Sequence, residues 1–424
     1  MDQSYLKRIV DGLLQERLRS SGAILIEGAK WCGKTATATR ASKSLLSMQD
    51  PDKAPSYLKA ADTKPSILLK GDTPRLIDEW QTAPVLWDAV RFMVDKRGGL
   101  PGQFILTGSA VPKDGVVKHT GTGRISRLMM RPMSLFESLE SNGTISLRDL
   151  FDGKKEIECH SDLSIEKIAF AITRGGWPAS VGKEEKIALR LVVDYVEAVI
   201  NADISRVDGV EKDPVRVRAL MRSLARNLST MATIKTIRDD IALGDANTSI
   251  SEKTISQYMT ALDRIFVTEH LSAWNPALRS KTAIRTSVKR HFVDPSIATA
   301  VMRLTPSRLL EDFSYFGFLF ESLCTRDLHV YAEAIDGQVF HYRDASGLES
   351  DTVVCLNDGR WAAIEIKLGA KEIEEAAGHL LELQAKVNTD KMKEPSFLMI
   401  LTGTEFAYRR DDGVLIVPIG CLKD

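Results

Sequence analysis

One stretch constrains the fold more than any other: Gly28-Ala29-Lys30-Trp31-Cys32-Gly33-Lys34-Thr35. It has the spacing G-x-x-x-x-G-K-S/T and directly follows the wholly apolar Ala23-Ile24-Leu25-Ile26. A short apolar run of that kind is the pattern of a strand buried in a parallel sheet. A helix-compatible run, 36–46, comes next, and apolar residues at helical spacing over 5–20 predict a helix before the strand. Strand, glycine loop and helix in that order make a phosphate cradle. Loop N–H groups wrap the phosphates, and the helix N-terminus adds partial positive charge. Lys34 would reach the β- and γ-phosphates, and the Thr35 hydroxyl would ligate Mg²⁺. The candidate ATP contacts are Gly28, Ala29, Lys30, Trp31, Cys32, Gly33, Lys34, Thr35 and Ala36.

A second element fits the same chemistry. Leu76-Ile77 closes a strand and Asp78-Glu79 follows, so Asp78 would hold Mg²⁺ and Glu79 would polarise the attacking water as general base. A third apolar strand, Phe104-Ile105-Leu106, ends in Thr107-Gly108-Ser109, where Thr107 or Ser109 could present a hydroxyl to the γ-phosphate; simple turn residues read equally well. Beyond it, Arg124 or Arg127 could serve as an arginine finger, in cis or from a neighbouring subunit, against a plain structural role. A further strand is expected at 67–70, and strands alternating with helices predict an α/β domain.

Composition limits the rest. The 424 residues hold 57 Lys+Arg against 57 Asp+Glu, with 44% hydrophobic and 27% charged. That is a folded chain of two to three domains, without the basic excess of a whole-surface nucleic-acid binder. No apolar run approaches ~18 residues, and no basic-then-apolar leader opens the sequence, so neither a membrane span nor a secretory signal is expected. Five scattered cysteines (Cys32, Cys159, Cys324, Cys355 and Cys421) form no C-x-x-C pair. They read as reduced thiols of a cytoplasmic chain.

Neutrality conceals a basic middle. Residues 212–290 hold 14 Lys+Arg and 7 Asp+Glu, a net +7. Helices predicted over 234–243 and 254–265, a hairpin beginning at Phe266 to Trp274, and five basic residues without an acid over 275–290 (Arg279, Lys281, Arg285, Lys289, Arg290) give the layout of a helix-turn-helix with a basic wing. An ordinary solvated face is the competing reading.

Toward the C-terminus, strands at 339–343, 349–356 and 361–367 follow a helix over 316–328. If Asn357-Asp358-Gly359 is a three-residue loop, Leu356 pairs with Arg360. Asp351 then lies opposite Glu365, Glu349 opposite Lys367, and Glu365 and Lys367 share a face. Three carboxylates and a lysine would converge. A surface salt-bridge ladder would give the same pattern.

Taken together, 25–35, 76–81, 106–109, 174–179 (Arg174 to Ala179), 258–274, 292–294 and 317–321 resemble prokaryotic AAA+-type ATPases whose C-terminal half is a domain of unknown function, number 4143. The resemblance implies an AAA+-like P-loop core (1–140), a helical lid or linker (141–210), a winged helix (211–305) and a restriction-endonuclease-like α/β end (306–424). It matches Asp351, Glu365 and Lys367 to the PD-(D/E)-x-K pattern, with Ser350 where the proline usually stands, and Glu321 to the upstream acid; the pattern implies Asp351 and Glu365 as Mg²⁺ ligands and Lys367 as the group that orients or deprotonates the attacking water. The expectation is a Mg-dependent ATPase coupled to DNA through the winged helix. The alternatives are an ATP-regulated DNA nuclease and a non-enzymatic ATP-switched DNA-binding regulator or adaptor. A homo-oligomer or a protein partner is open on either view.

Overall fold

The computed structural model describes residues 5–110, 120–154, 156–207, 209–244, 250–279 and 284–424. Two compact units emerge. The first comprises Met1–Pro132, Asn201–Lys212 and Tyr258–Val267; the second holds Met133–Ile200, Asp213–Gln257 and Thr268–Asp424. Among the described residues no helix is long and apolar enough to cross a membrane.

The first unit is built on a five-stranded parallel sheet. Its strands are β1 (Ala23–Glu27), β2 (Ser44–Ser47), β3 (Arg75–Asp78), β4 (Phe104–Gly108) and β5 (Ile125–Met129), in the order β2-β3-β4-β1-β5. β1 and β4 are buried throughout or nearly so, as apolar central strands covered on both faces must be. Because β4 lies between β1 and β3, the C-terminal end of β4 stands between the loop after Glu27 and the carboxylates after Ile77. Loops at the carboxyl ends of parallel strands are where such sheets bind ligands.

Two expectations change here. Residues 67–70 are not a strand: Pro65–Ile67 is a 3-10 turn that drops Leu68 and Leu69 into the core. The helix after the glycine loop ends at Ala41, and Ser44–Ser47 pairs with Arg75–Asp78 as an edge strand. The stretch carrying Arg124 and Arg127 leads into and forms β5, parallel to β1.

The second unit holds two-residue strands β6 (Ile145–Ser146) and β7 (Cys159–His160), then β8 (Gly337–Arg343), β9 (Glu349–Leu356), β10 (Trp361–Lys367), β11 (Leu398–Thr402), β12 (Phe406–Arg409), β13 (Leu415–Pro418) and β14 (Leu422–Lys423). Seven of these form one sheet, β7-β12-β13-β11-β10-β9-β8, and β14 pairs with β6. The β9–β10 register is the one the three-residue loop predicts: Trp361 faces Cys355 and Ile364 faces Thr352, with the Leu356 N–H donated to the Arg360 carbonyl at 2.8 Å. Trp361 and Ala363 bury against Ala376, Ala377, Leu380 and Leu383 of the helix Ile373–Lys386. By alternation, Glu365 and Lys367 continue that face.

The expected hairpin from Phe266 is a set of isolated antiparallel bridges, Thr268 with Phe292 and Leu271 with Lys289. Its middle is fastened to β8. The Trp274 N–H donates to the His341 carbonyl at 2.7 Å and the Arg285 N–H to the Arg343 carbonyl at 2.9 Å. The Trp274 ring packs 4.6 Å from that of Trp361. Lys281 lies outside the described residues.

Candidate nucleotide site and C-terminal carboxylate centre

The glycine loop is shaped by positions that a side chain would disrupt. Gly28 has φ +150°, and a Cβ there would stand 2.1 Å from the Met130 carbonyl oxygen. Gly33, at φ +106°, caps the helix Lys34–Ala41 in the left-handed region, where glycine is favoured. Trp31 also has positive φ, at 68°, and is half exposed. The buried Cys32 thiol donates to the Met130 carbonyl at 3.3 Å. The Lys34 ammonium is buried inside the curve and donates to the carbonyls of Gly28 (2.8 Å) and Ala29 (2.7 Å). Its charge therefore stands at the centre of the loop, beside a helix N-terminus that favours anions. Lys30 pairs with Asp203 at 2.6 Å, away from that centre. Thr35 and Ala36 occupy the first turn of the helix.

Asp78 and Glu79 meet this loop. The hydroxyls of Thr35 and Thr107 both donate to Asp78 Oδ1, at 2.8 and 2.6 Å. The Glu79 N–H donates to Thr107 Oγ1 at 3.2 Å. Glu79 adopts φ 55°, ψ 51°, a left-handed conformation uncommon for a residue with a side chain and frequent at functional sites. Its carboxylate accepts from Ser109 Oγ at 3.2 Å and from the Gln81 amide. The oxygen donors of Thr35 and Asp78 fit Mg²⁺, a hard ion that takes few protein oxygens beside phosphate.

Sequence reasoning misses Arg8, which carries no motif. Its buried guanidinium donates to the Cys32 carbonyl and to the Arg131 carbonyl, both at 2.8 Å, bracing the loop from behind. It misplaces Arg124. Ile125 pairs with Ala23, so Arg124 lies at the end of the sheet opposite the phosphate loop, donating to Asp95 at 2.8 Å. Arg127, level with Leu25, pairs with Glu27 at 2.9 Å. Neither reaches the phosphate loop of its own chain. Arg174 is buried in the second unit, paired with Glu140 and donating to the Gly175 carbonyl.

In the second unit, β9 and β10 bring Asp351, Glu365 and Lys367 together. Lys367 Nζ lies 2.8 Å from Glu365 and 3.4 Å from Asp351, and the Ile366 N–H donates to Asp351 Oδ2 at 2.9 Å. Glu321, on the helix Phe313–Glu333, joins them. Glu349 does not: it pairs with Arg343 on the neighbouring strand at 3.1 Å. The second cation is Lys289, from the expected basic wing. Its Nζ lies 2.6 Å from Glu321 and 3.3 Å from Asp351. Burial raises the Glu321 carboxyl, opposed by Lys289, to about 7. Burial and the Asp351 charge hold the Glu365 carboxyl well above its usual range. Burial acts to raise the Asp351 carboxyl too, but Lys289 and Lys367 outweigh it and hold it low. Among the described residues no group of three His, Cys, Asp or Glu side chains is placed to hold a metal. With Lys289 between two of the acids, this centre does not fit Mg²⁺ as the nucleotide site does.

Other basic residues of the middle stretch are also committed. Arg218 pairs with Glu197, Arg226 with Asp240, and Arg238 with Asp239 and Glu252. Arg279 donates to the Val387 carbonyl, and Arg290 to that of Ala232.

Comparison with known families follows this division of labour. Residues 20–139 match the AAA domain, 165–308 a domain of unknown function (DUF8612) and 316–422 another (DUF4143). The chain carries an AAA-type ATPase domain. That AAA domain spans the glycine loop, Asp78, Glu79 and Thr107, and DUF4143 spans Glu321, Asp351, Glu365 and Lys367. Among solved structures the chain is similar to a Walker-type ATPase of Pyrococcus abyssi, at 15% identity over 71% of this chain and 97% of that one, TM-score 0.43. It is also similar to the ORC2 protein of Aeropyrum pernix, at 12% identity over 75% and 96%, TM-score 0.34. No curated protein matches the chain.

Proposed function

We propose that the chain binds Mg-ATP at residues 28–36 and hydrolyses it. The observation that carries this reading is the meeting of two hydroxyls, Thr35 and Thr107, on one Asp78 oxygen, with Glu79 next in sequence. The loop N–H groups and Lys34 bind the phosphate oxygens. Thr35 and Asp78 hold Mg²⁺, which neutralises charge on the phosphates when bound. Glu79 takes the proton of the attacking water, and Thr107 couples the Glu79 backbone to Asp78. Phosphate release with purified protein tests this. Lys34→Ala should abolish turnover and weaken ATP binding. Turnover equal to the intact protein's would overturn the assignment. Tight ATP binding with negligible turnover in the intact protein would favour an ATP-held switch instead.

A second reading couples this site to DNA through 211–305, read as a winged helix. Its support is narrower than the net charge suggests: Arg222, Lys235 and Lys253 are exposed, with no ion-pair partner among the described residues. Lys235→Glu with Lys253→Glu should weaken duplex binding and flatten its salt dependence, the slope falling by about 1 for each phosphate no longer neutralised. Lys281→Glu with Arg285→Glu tests the wing itself. If both double variants bind as the intact protein does, the DNA reading falls.

A further inference from the structure

The carboxylate centre of the second unit raises its own question, independent of the ATPase reading. Glu321, Asp351 and Glu365 are all buried. Buried acids so arranged need a counter-charge. We propose that Lys289 is the resident cation of this centre and keeps divalent metal out of it.

Three observations carry the proposal. First, the ammonium bridges Glu321 and Asp351, at 2.6 and 3.3 Å, with only about a tenth of each of the three side chains exposed. A Mg²⁺ ion would need those same oxygens at about 2.0–2.1 Å. Second, the placement is built into the backbone. Lys289 and Leu271 exchange both N–H···O bonds at 2.9 Å, the Arg290 N–H donates to the Thr230 carbonyl at 2.9 Å, and Phe292 bridges to Thr268. A lysine clamped on both sides is not a surface side chain that has strayed inward. Third, the charges nearly balance. Two ammonium groups, Lys289 and Lys367, already stand among the three acids, and burial pushes two of those acids, Glu321 and Glu365, toward the neutral form. A dication added on top would leave the buried centre positive, whereas replacing Lys289 by a neutral side chain removes one positive charge and frees the Glu321 and Asp351 oxygens that it occupies.

The role of Lys289 can be read directly with Mn²⁺, using the full chain without nucleotide and counting bound ions by paramagnetic resonance. The intact protein and Asp351→Asn should show equal Mn²⁺ binding up to roughly 1 mM. Lys289→Met, of similar length and uncharged, should gain one site at least about tenfold tighter, lost again when Asp351→Asn is added. Mn²⁺ binding by the intact protein that depends on Asp351 would overturn the proposal, and so would a folded Lys289→Met protein that gains no site. If Lys289→Met does not fold, the intact protein against Asp351→Asn still decides.

Discussion

Glu79→Gln is expected to lower steady-state ATP hydrolysis by roughly 10²–10⁴-fold while leaving ATP affinity near that of the intact protein. The change removes the proton acceptor and keeps nearly everything else. The amide retains an oxygen for Ser109 Oγ and for the Gln81 amide, and the Glu79 N–H bond to Thr107 belongs to the backbone. Asp78 keeps both hydroxyl donors. Phosphate release measured beside equilibrium binding of a fluorescent ATP analogue separates the two effects. A variant that turns over normally would mean that another group accepts the proton. A variant that loses binding and turnover together would mean that Glu79 shapes the loop rather than the chemistry.

Asp294→Ala should give a large loss of stability, about 3–5 kcal/mol. Asp294 is fully buried and accepts from the Gly176 and Ser296 N–H groups, both at 2.9 Å, and from Arg326 at 2.9 Å. Arg326 is itself buried between Asp294 and Asp327. Removing one acid strands part of a buried guanidinium and two backbone donors. Asp294→Asn keeps acceptor oxygen and shape, so it should lose less. Denaturation followed by tryptophan fluorescence can report the change, since Trp177 Nε1 donates to Ser296 Oγ at 2.9 Å within this knot. A midpoint unchanged in the alanine variant would refute the assignment.

Local features of this chain are legible in its sequence, and distant pairings are not. The phosphate loop is local: one strand, one loop and one helix lie within twenty residues, so spacing reveals them. The β9–β10 register is also legible, because a three-residue loop leaves one pairing. Lys289 reads as a wing residue, since nothing in its neighbourhood announces partners 32 and 62 positions away. Arg124 is misplaced for a topological reason: its distance from the loop follows from the direction of β5, and a five-residue strand after a glycine-rich stretch gives little warning of itself. The 174–179 and 292–294 segments stand out in the sequence without showing a role. The structure joins them as a buried knot, with Gly176 so close to the Met133 carbonyl that a Cβ would stand 2.1 Å away.

The sheet order of the second unit has a consequence for how the chain is made. All five strands of the first unit have been synthesised once residue 129 is in place. The second unit pairs Cys159 with Ala407 and Ile145 with Leu422. At about 5–20 residues per second, Ile145 waits roughly 14–55 seconds for its partner. Over most of that interval the β7 edge of the seven-stranded sheet also lacks its neighbour β12, while the five-stranded parallel sheet can already close. Vectorial synthesis thus gives the AAA domain a head start and leaves the carboxylate centre to assemble late.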